Sequence, residues 1–175
     1  MNMKLSILVT IALAVSFYGC HLPAAKSPTE TKAADQLVEA IQIKDQVRAL
    51  ELIESGHPIE GKADQKNEPA YWAIATNNKD ALEALIKHGL ELDTDWGIDG
   101  GNLLTNAVQF GHMTIVRVLV EAGAPVIRDP TKGRSPLYSS IIYGHKEIED
   151  FLRSKGAKLN DWDMDAFDRL GLNEE

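Results

Sequence analysis

Leu103-Leu104-Thr105-Asn106-Ala107-Val108-Gln109-Phe110-Gly111-His112-Met113-Thr114-Ile115-Val116-Arg117-Val118-Leu119-Val120-Glu121-Ala122-Gly123 is the stretch that decides the fold. Leu103–Phe110 and Ile115–Val120 carry apolar residues at spacings of three and four, which argues for helix over strand. Gly111-His112 stands between the two runs, so the chain turns back and forms a helical hairpin. Gly123 supplies the left-handed backbone that stops the second helix. A polar segment rich in Asp, Gly and Pro follows.

The same segment recurs. Closing glycines stand at Gly56, Gly89, Gly123 and Gly156, at spacings of 33, 34 and 33 residues. Sixteen residues before each is a small residue (Ala40, Ala73, Ala107, Ser140), followed by an aliphatic one (Ile41, Ile74, Val108, Ile141). Four residues before each is a leucine (Leu52, Leu85, Leu119, Leu152). A register held over four copies means stacked units of one kind, each too small to bury its own apolar face. Chains built this way act by presenting a surface.

The unit resembles the ankyrin repeat, over roughly residues 33–160. Ser135-Pro136-Leu137-Tyr138 and Glu68-Pro69-Ala70-Tyr71 stand at that family's helix-opening Thr-Pro-Leu-His motif. Gly111-His112 and Gly144-His145 match its Gly-His turn, and Ala122-Gly123-Ala124-Pro125-Val126 its closing Gly-Ala-Asp-Val. There are departures. Tyr71, Thr105 and Tyr138 replace the motif histidine. The third copy lacks the proline and has one extra residue near Trp96-Gly97, and the first copy has no opening motif and reads as a cap. The resemblance implies an all-α, ankyrin-type solenoid of stacked helical hairpins with short connecting hairpin loops. Its units are expected at 35–62, 63–95, 96–128 and 129–160, with a capping segment at 161–175. Phe167, Leu170 and Leu172 are expected to lay a short helix over the last repeat.

The N-terminus carries its own expectations. Met1-Asn2-Met3-Lys4 holds one positive charge, and Leu5–Tyr18 is apolar apart from Thr10 and Ser16. Fourteen residues rise about 21 Å as a helix, short of the ~30 Å hydrocarbon core, which favours a signal peptide at 1–19 over a membrane span. Phe17-Tyr18-Gly19-Cys20 resembles a bacterial lipobox, although Phe17 and Tyr18 are bulkier than usual. By that resemblance Cys20 is the lipidation site and the membrane attachment. His21 rather than Asp follows it, which implies sorting to the outer membrane of a Gram-negative cell, facing the periplasm. Cys20 is also the only cysteine, so the folded part would carry no thiol, as suits an oxidising compartment. Residues 20–34, rich in Pro, Ala and polar residues, read as a flexible tether.

Chemistry is sparse. The net charge is −8 and no basic cluster exceeds a few residues, which disfavours a nucleic-acid partner. Asp93-Thr94-Asp95-Trp96-Gly97-Ile98-Asp99 begins like a Ca²⁺ loop, but Leu104 stands where its Glu is wanted. Asp161-Trp162-Asp163-Met164-Asp165 alternates too, but Ala166 replaces the required Gly, and a helix start is the better reading. The five histidines show no metal-ligand spacing, and His112 and His145 share one turn position as structural residues would. No metal, no cofactor and no catalysis are expected.

One set of residues reads as a surface. In ankyrin repeats the end of the first helix and the hairpin tips line a concave binding face. The position thirteen residues before each closing glycine belongs there by resemblance, and it holds Ile43, Thr76, Phe110 and Tyr143. Exposed aromatics with Gln109 alongside suit an interface, while the alternative is that Phe110 and Tyr143 fold down between repeats. Trp96, Arg128 and Arg134 on the hairpin loops are further candidates, Trp and Arg being frequent energetic anchors. The expectation is a monomeric, non-catalytic protein-binding module held in the bacterial envelope by a lipid anchor. Its expected role is immunity or inhibition against a toxin or hydrolase acting in the periplasm. Alternatives are a scaffold for envelope stress defence and an undetected hydrolase.

Overall fold

The structure is a computed structural model that describes residues 28–59, 68–94, 101–129, 131 and 133–171, with side chains described from residue 35 onward and Glu68 excepted. The regular elements among the described residues are α-helices: α1 Pro28–Gln42, α2 Gln46–Glu54, α3 Glu68–Ala75, α4 Lys79–Lys87, α5 Leu103–Gln109, α6 Met113–Glu121, α7 Pro136–Ile142, α8 Lys146–Ser154 and α9 Asp161–Leu170. They pair as hairpins, α1 with α2, α3 with α4, α5 with α6 and α7 with α8. The first helices of successive hairpins pack on one another as an inner row, α1-α3-α5-α7, and the second helices as an outer row, α2-α4-α6-α8. This is the all-α ankyrin solenoid that the register implies.

Each unit turns twice with one device. In the inner turn the amide of the fifth residue on bonds back to the small residue, as Asp45 N to Ala40 O (2.9 Å), Asn78 N to Ala73 O (2.7 Å), His112 N to Ala107 O (3.2 Å) and His145 N to Ser140 O (2.8 Å). In the closing turn the same bond runs from Ala124 N to Leu119 O (2.9 Å) and from Ala157 N to Leu152 O (3.0 Å). Both satisfy helix-end carbonyls, and both need a left-handed residue one position before the donor. The closing glycines take it, at φ between 80° and 96°. The inner turns place it on Lys44 (59°), Asn77 (54°), Gly111 (72°) and Gly144 (72°).

The core lies between the rows. Ala40, Ala73, Ala107 and Ser140 are fully buried, as are Leu85, Leu119 and Leu152, while Leu52 in the first copy is partly buried. A small side chain sits where the two helices of a hairpin converge, and the leucine of the outer helix fills the space beside it. The inner helices α5 and α7 begin on side-chain caps. Asn102 Oδ1 accepts from Thr105 N (2.9 Å) and from the Thr105 hydroxyl (2.9 Å), and Ser135 Oγ accepts from Tyr138 N (3.1 Å) ahead of Pro136. Thr105 at the motif-histidine position therefore serves the cap itself.

The last helix closes the stack. Asp161-Trp162-Asp163 is a helix start, with a capping box between Asn160 and Asp163. Asp163 is fully buried and its carboxylate accepts from two amides, Ser135 N (2.9 Å) and Asn160 N (2.9 Å). Phe167 is buried and its ring lies 5.0 Å from that of Tyr138. Leu170, expected to cover the last repeat, is instead 57% exposed, because α9 turns it outward; Leu172 lies outside the described residues. At the other end α1 begins at Pro28, so residues 28–34 of the segment read as a tether are helical. Residues 1–27, with the expected signal peptide and Cys20, lie outside the described residues.

Candidate partner-binding face

The four stripe residues occupy one structural position. Each immediately precedes the left-handed residue of its inner turn, which sets it at the end of the inner row. Ile43 is 62% exposed, Phe110 40% and Tyr143 43%. Thr76 is half-buried, and its hydroxyl donates to Trp72 O (2.7 Å), so its one proton is already engaged.

The two aromatics are braced from behind. Phe110 stacks on His112, with ring centroids 5.8 Å apart and planes 11° apart, and meets Tyr71 of the preceding repeat edge-on at 6.0 Å. Tyr143 stacks on His145 at 6.4 Å and 15°, and its hydroxyl accepts from Gln109 Nε2. Each imidazole reaches back one repeat: His112 Nε2 lies 3.4 Å from Ala75 O, and His145 Nε2 lies 3.4 Å from Gln109 O. A carbonyl only accepts, so Nε2 carries the proton in both. Gln109 is thereby held through its amide and its carbonyl by the repeat that follows.

Gly111 makes room for this arrangement. A Cβ there would stand 2.6 Å from His145 Cε1, closer than any side chain tolerates, whereas one on Gly144 would meet nothing within 4 Å. The expected alternatives for Phe110 and Tyr143 thus merge: the rings contact neighbouring repeats and still present over a third of their surface. His112 and His145 are structural at the turn, as their shared position implied, and they also brace the two rings; the signal for that lay in the pairing of Phe110 with His112 and Tyr143 with His145, two residues apart in both copies.

Of the other candidates, Arg128 is corrected. It is only 2% exposed, and its carbonyl accepts from Asn160 Nδ2 (3.2 Å), because the segment before α7 is tucked under the α9 cap. It cannot serve as an exposed anchor. Arg134 is half-buried beside the same junction, and Trp96 lies outside the described residues. Trp72 packs partly buried against the core, edge-on to Tyr71 at 5.4 Å. Lys146, fully exposed beside the last inner turn, has its ammonium pKa raised by hydrogen bonds to Asp150 and Glu149. Among the described residues no three His, Cys, Asp or Glu side chains come together as metal ligands would.

Comparison with known proteins agrees with this architecture. The family described as ankyrin repeats (3 copies) matches residues 37–129 and 70–163. An ankyrin repeat protein of Acanthamoeba polyphaga mimivirus is 30% identical over 96 residues, covering 51% of this chain and 12% of its own length. A glycerophosphocholine phosphodiesterase of Candida albicans is 31% identical over 102 residues, 58% of this chain and 9% of its own. A palmitoyltransferase of Drosophila melanogaster is 31% identical over 94 residues, 53% of this chain and 15% of its own. The chain spans a small fraction of the length of each of these relatives. An ankyrin array is a protein-binding module, and the helical hairpins, the repeat register and the family match together show that this chain belongs to the ankyrin-repeat family.

Proposed function

We propose that the array acts without chemistry, by holding or blocking one partner protein on the stripe Ile43, Thr76, Phe110 and Tyr143. The observation that carries this reading is the pair of half-exposed aromatics on adjacent repeats, each stacked on an imidazole bonded to the repeat before it. Such rings are already fixed, so little side-chain entropy is lost when a partner covers them. The test compares binding with stability. Phe110→Ala and Tyr143→Ala should each weaken partner binding by ~1–3 kcal/mol. The thermal midpoint should fall much less than for a core truncation. Binding losses that merely track unfolding would remove the proposal.

The place of action follows from the sequence motif at Phe17-Tyr18-Gly19-Cys20. Cys20 would carry the lipid, and the array would face the periplasm from the outer membrane, as an immunity or inhibitor protein against a toxin or hydrolase that enters there. Tethering raises the local concentration of an inhibitor at that surface. Cys20→Ser should release the chain or leave an unprocessed precursor in fractionated envelopes. A mutant that still sediments with the outer membrane at normal mature mass would rule the anchor out. Capture by the full chain from envelope extracts then identifies the partner.

A further inference from the structure

The face has a chemistry and a spacing, and together they point to one kind of occupant. Pro69–Ala75, Leu103–Gln109 and Pro136–Ile142 contain no Asp, Glu, Lys or Arg, in a chain that is 25% charged. Burial explains part of this, but the partly or well exposed positions within these three stretches are uncharged as well: Tyr71, Trp72, Asn106, Gln109 and Ile142; the charge of α3 is confined to Glu68 at its first residue. The outer helices carry the charges instead, as in Lys79-Asp80-Ala81-Leu82-Glu83 and Lys146-Glu147-Ile148-Glu149-Asp150. A charged segment docked along the middles of the inner helices of repeats two to four would lose its hydration against uncharged side chains. An apolar, uncharged ridge meets no such penalty.

Spacing decides the shape of the ridge. The stripe repeats once per hairpin, and packed helices stand about 8–10 Å apart. An extended peptide places same-face side chains roughly 6.6 or 13 Å apart, because its side chains alternate, and so cannot meet successive stripe positions in register. An α-helix places residues seven apart on one face with a rise of about 10.5 Å. Within the stripe, small Thr76 lies between the larger Ile43 and Phe110, so a partner side chain meets the least bulk there.

We infer that the partner offers this face an α-helix whose uncharged apolar residues recur every seven positions. The inference rests on the stripe being the binding face. The test uses the full chain and two synthetic helical peptides of about 22 residues and identical composition, one with leucines seven apart and one with leucines five apart. The seven-spaced peptide should bind about tenfold or more tightly than the other, and its Kd should change less than about twofold between roughly 50 and 500 mM salt. Phe110→Ala should weaken that binding about tenfold while the melting midpoint falls much less than for Leu119→Ala. Equal binding of the two peptides, no binding of either, or a tenfold loss in salt overturns the inference. A photo-crosslinker at position 110 separates the two failures. Crosslinks to a partner whose contacting segment is a strand or a charged loop leave the face standing and remove the helix. No crosslink from position 110 in cells removes both.

Discussion

Repeats one and two solve the inner turn differently from repeats three and four. All four need the same left-handed residue, and Lys44 and Asn77 supply it in the first half where Gly111 and Gly144 supply it in the second. The next residue separates the halves. Asp45 and Asn78 cap their own outer helices, accepting from Arg48 N (3.1 Å) and Ala81 N (3.1 Å). His112 and His145 make no side-chain cap and bond instead to carbonyls of the preceding repeat. At this one position the first half closes each hairpin on itself, and the second half stitches hairpin to hairpin; the first half makes its link elsewhere, from Gln46 Nε2 to Asp80 Oδ2 (2.7 Å). The aromatics of the proposed binding stripe belong to the stitched half, where an imidazole gives Phe110 and Tyr143 a ring to stack on. The backbone geometry of a turn is imposed by the fold, while the residue after it chooses between local and inter-repeat bonding.

Core truncations test whether the halves differ only at their turns. Leu85→Ala in repeat two and Leu119→Ala in repeat three each remove a fully buried side chain from an outer helix, and each should cost about 2–5 kcal/mol in urea unfolding. A large gap between them would place the difference in the core. Leu170→Ala, at an exposed site on α9, should stay within roughly 0.5 kcal/mol.

Gly111→Ala and Gly144→Ala sharpen the stitch itself. Both force a side chain into the left-handed region, at about 1–2 kcal/mol. Only Gly111→Ala also collides with the His145 ring, so it should be the more destabilising by a further ~1 kcal/mol or more. In the double mutant with His145→Ala that excess should vanish, and persistence of the full gap would mean that the imidazole is not what occupies the space.

Single turn residues come next. Asn78→Ala should lose about 1 kcal/mol as a helix cap, and His145→Ala about 0.5–1.5 kcal/mol as an inter-repeat hydrogen bond. The two should differ in kind more than in size: hydrogen exchange should rise within α4 for the first, and across the α5–α7 boundary for the second. The smallest effect is a gain. Lys44→Gly relieves a left-handed lysine and should raise stability by up to about 1 kcal/mol, with Asn77→Gly gaining less because asparagine tolerates that region. A loss on Lys44→Gly would show that this side chain makes contacts that outweigh its backbone strain.

Much of this molecule was legible in the chain, and for a definite reason. Helix periodicity, the closing glycines, the small residue at each hairpin crossing and the Gly-His turns are local features repeated at one interval, so four weak signals reinforce one another. Lys44 was the harder turn residue to see, since lysine does not mark a left-handed backbone, whereas Asn77 is of a type that tolerates one. The tertiary structure alone decided which side chains meet across repeats. The imidazole bonds join residues 37 and 36 positions apart, and Arg128 is buried by a cap that begins 33 residues later, at Asp161. A repeat interval says that units stack. How far Phe110 and Tyr143 stand out of that stack depends on the rings packed behind them, and those contacts form only once the hairpins are side by side.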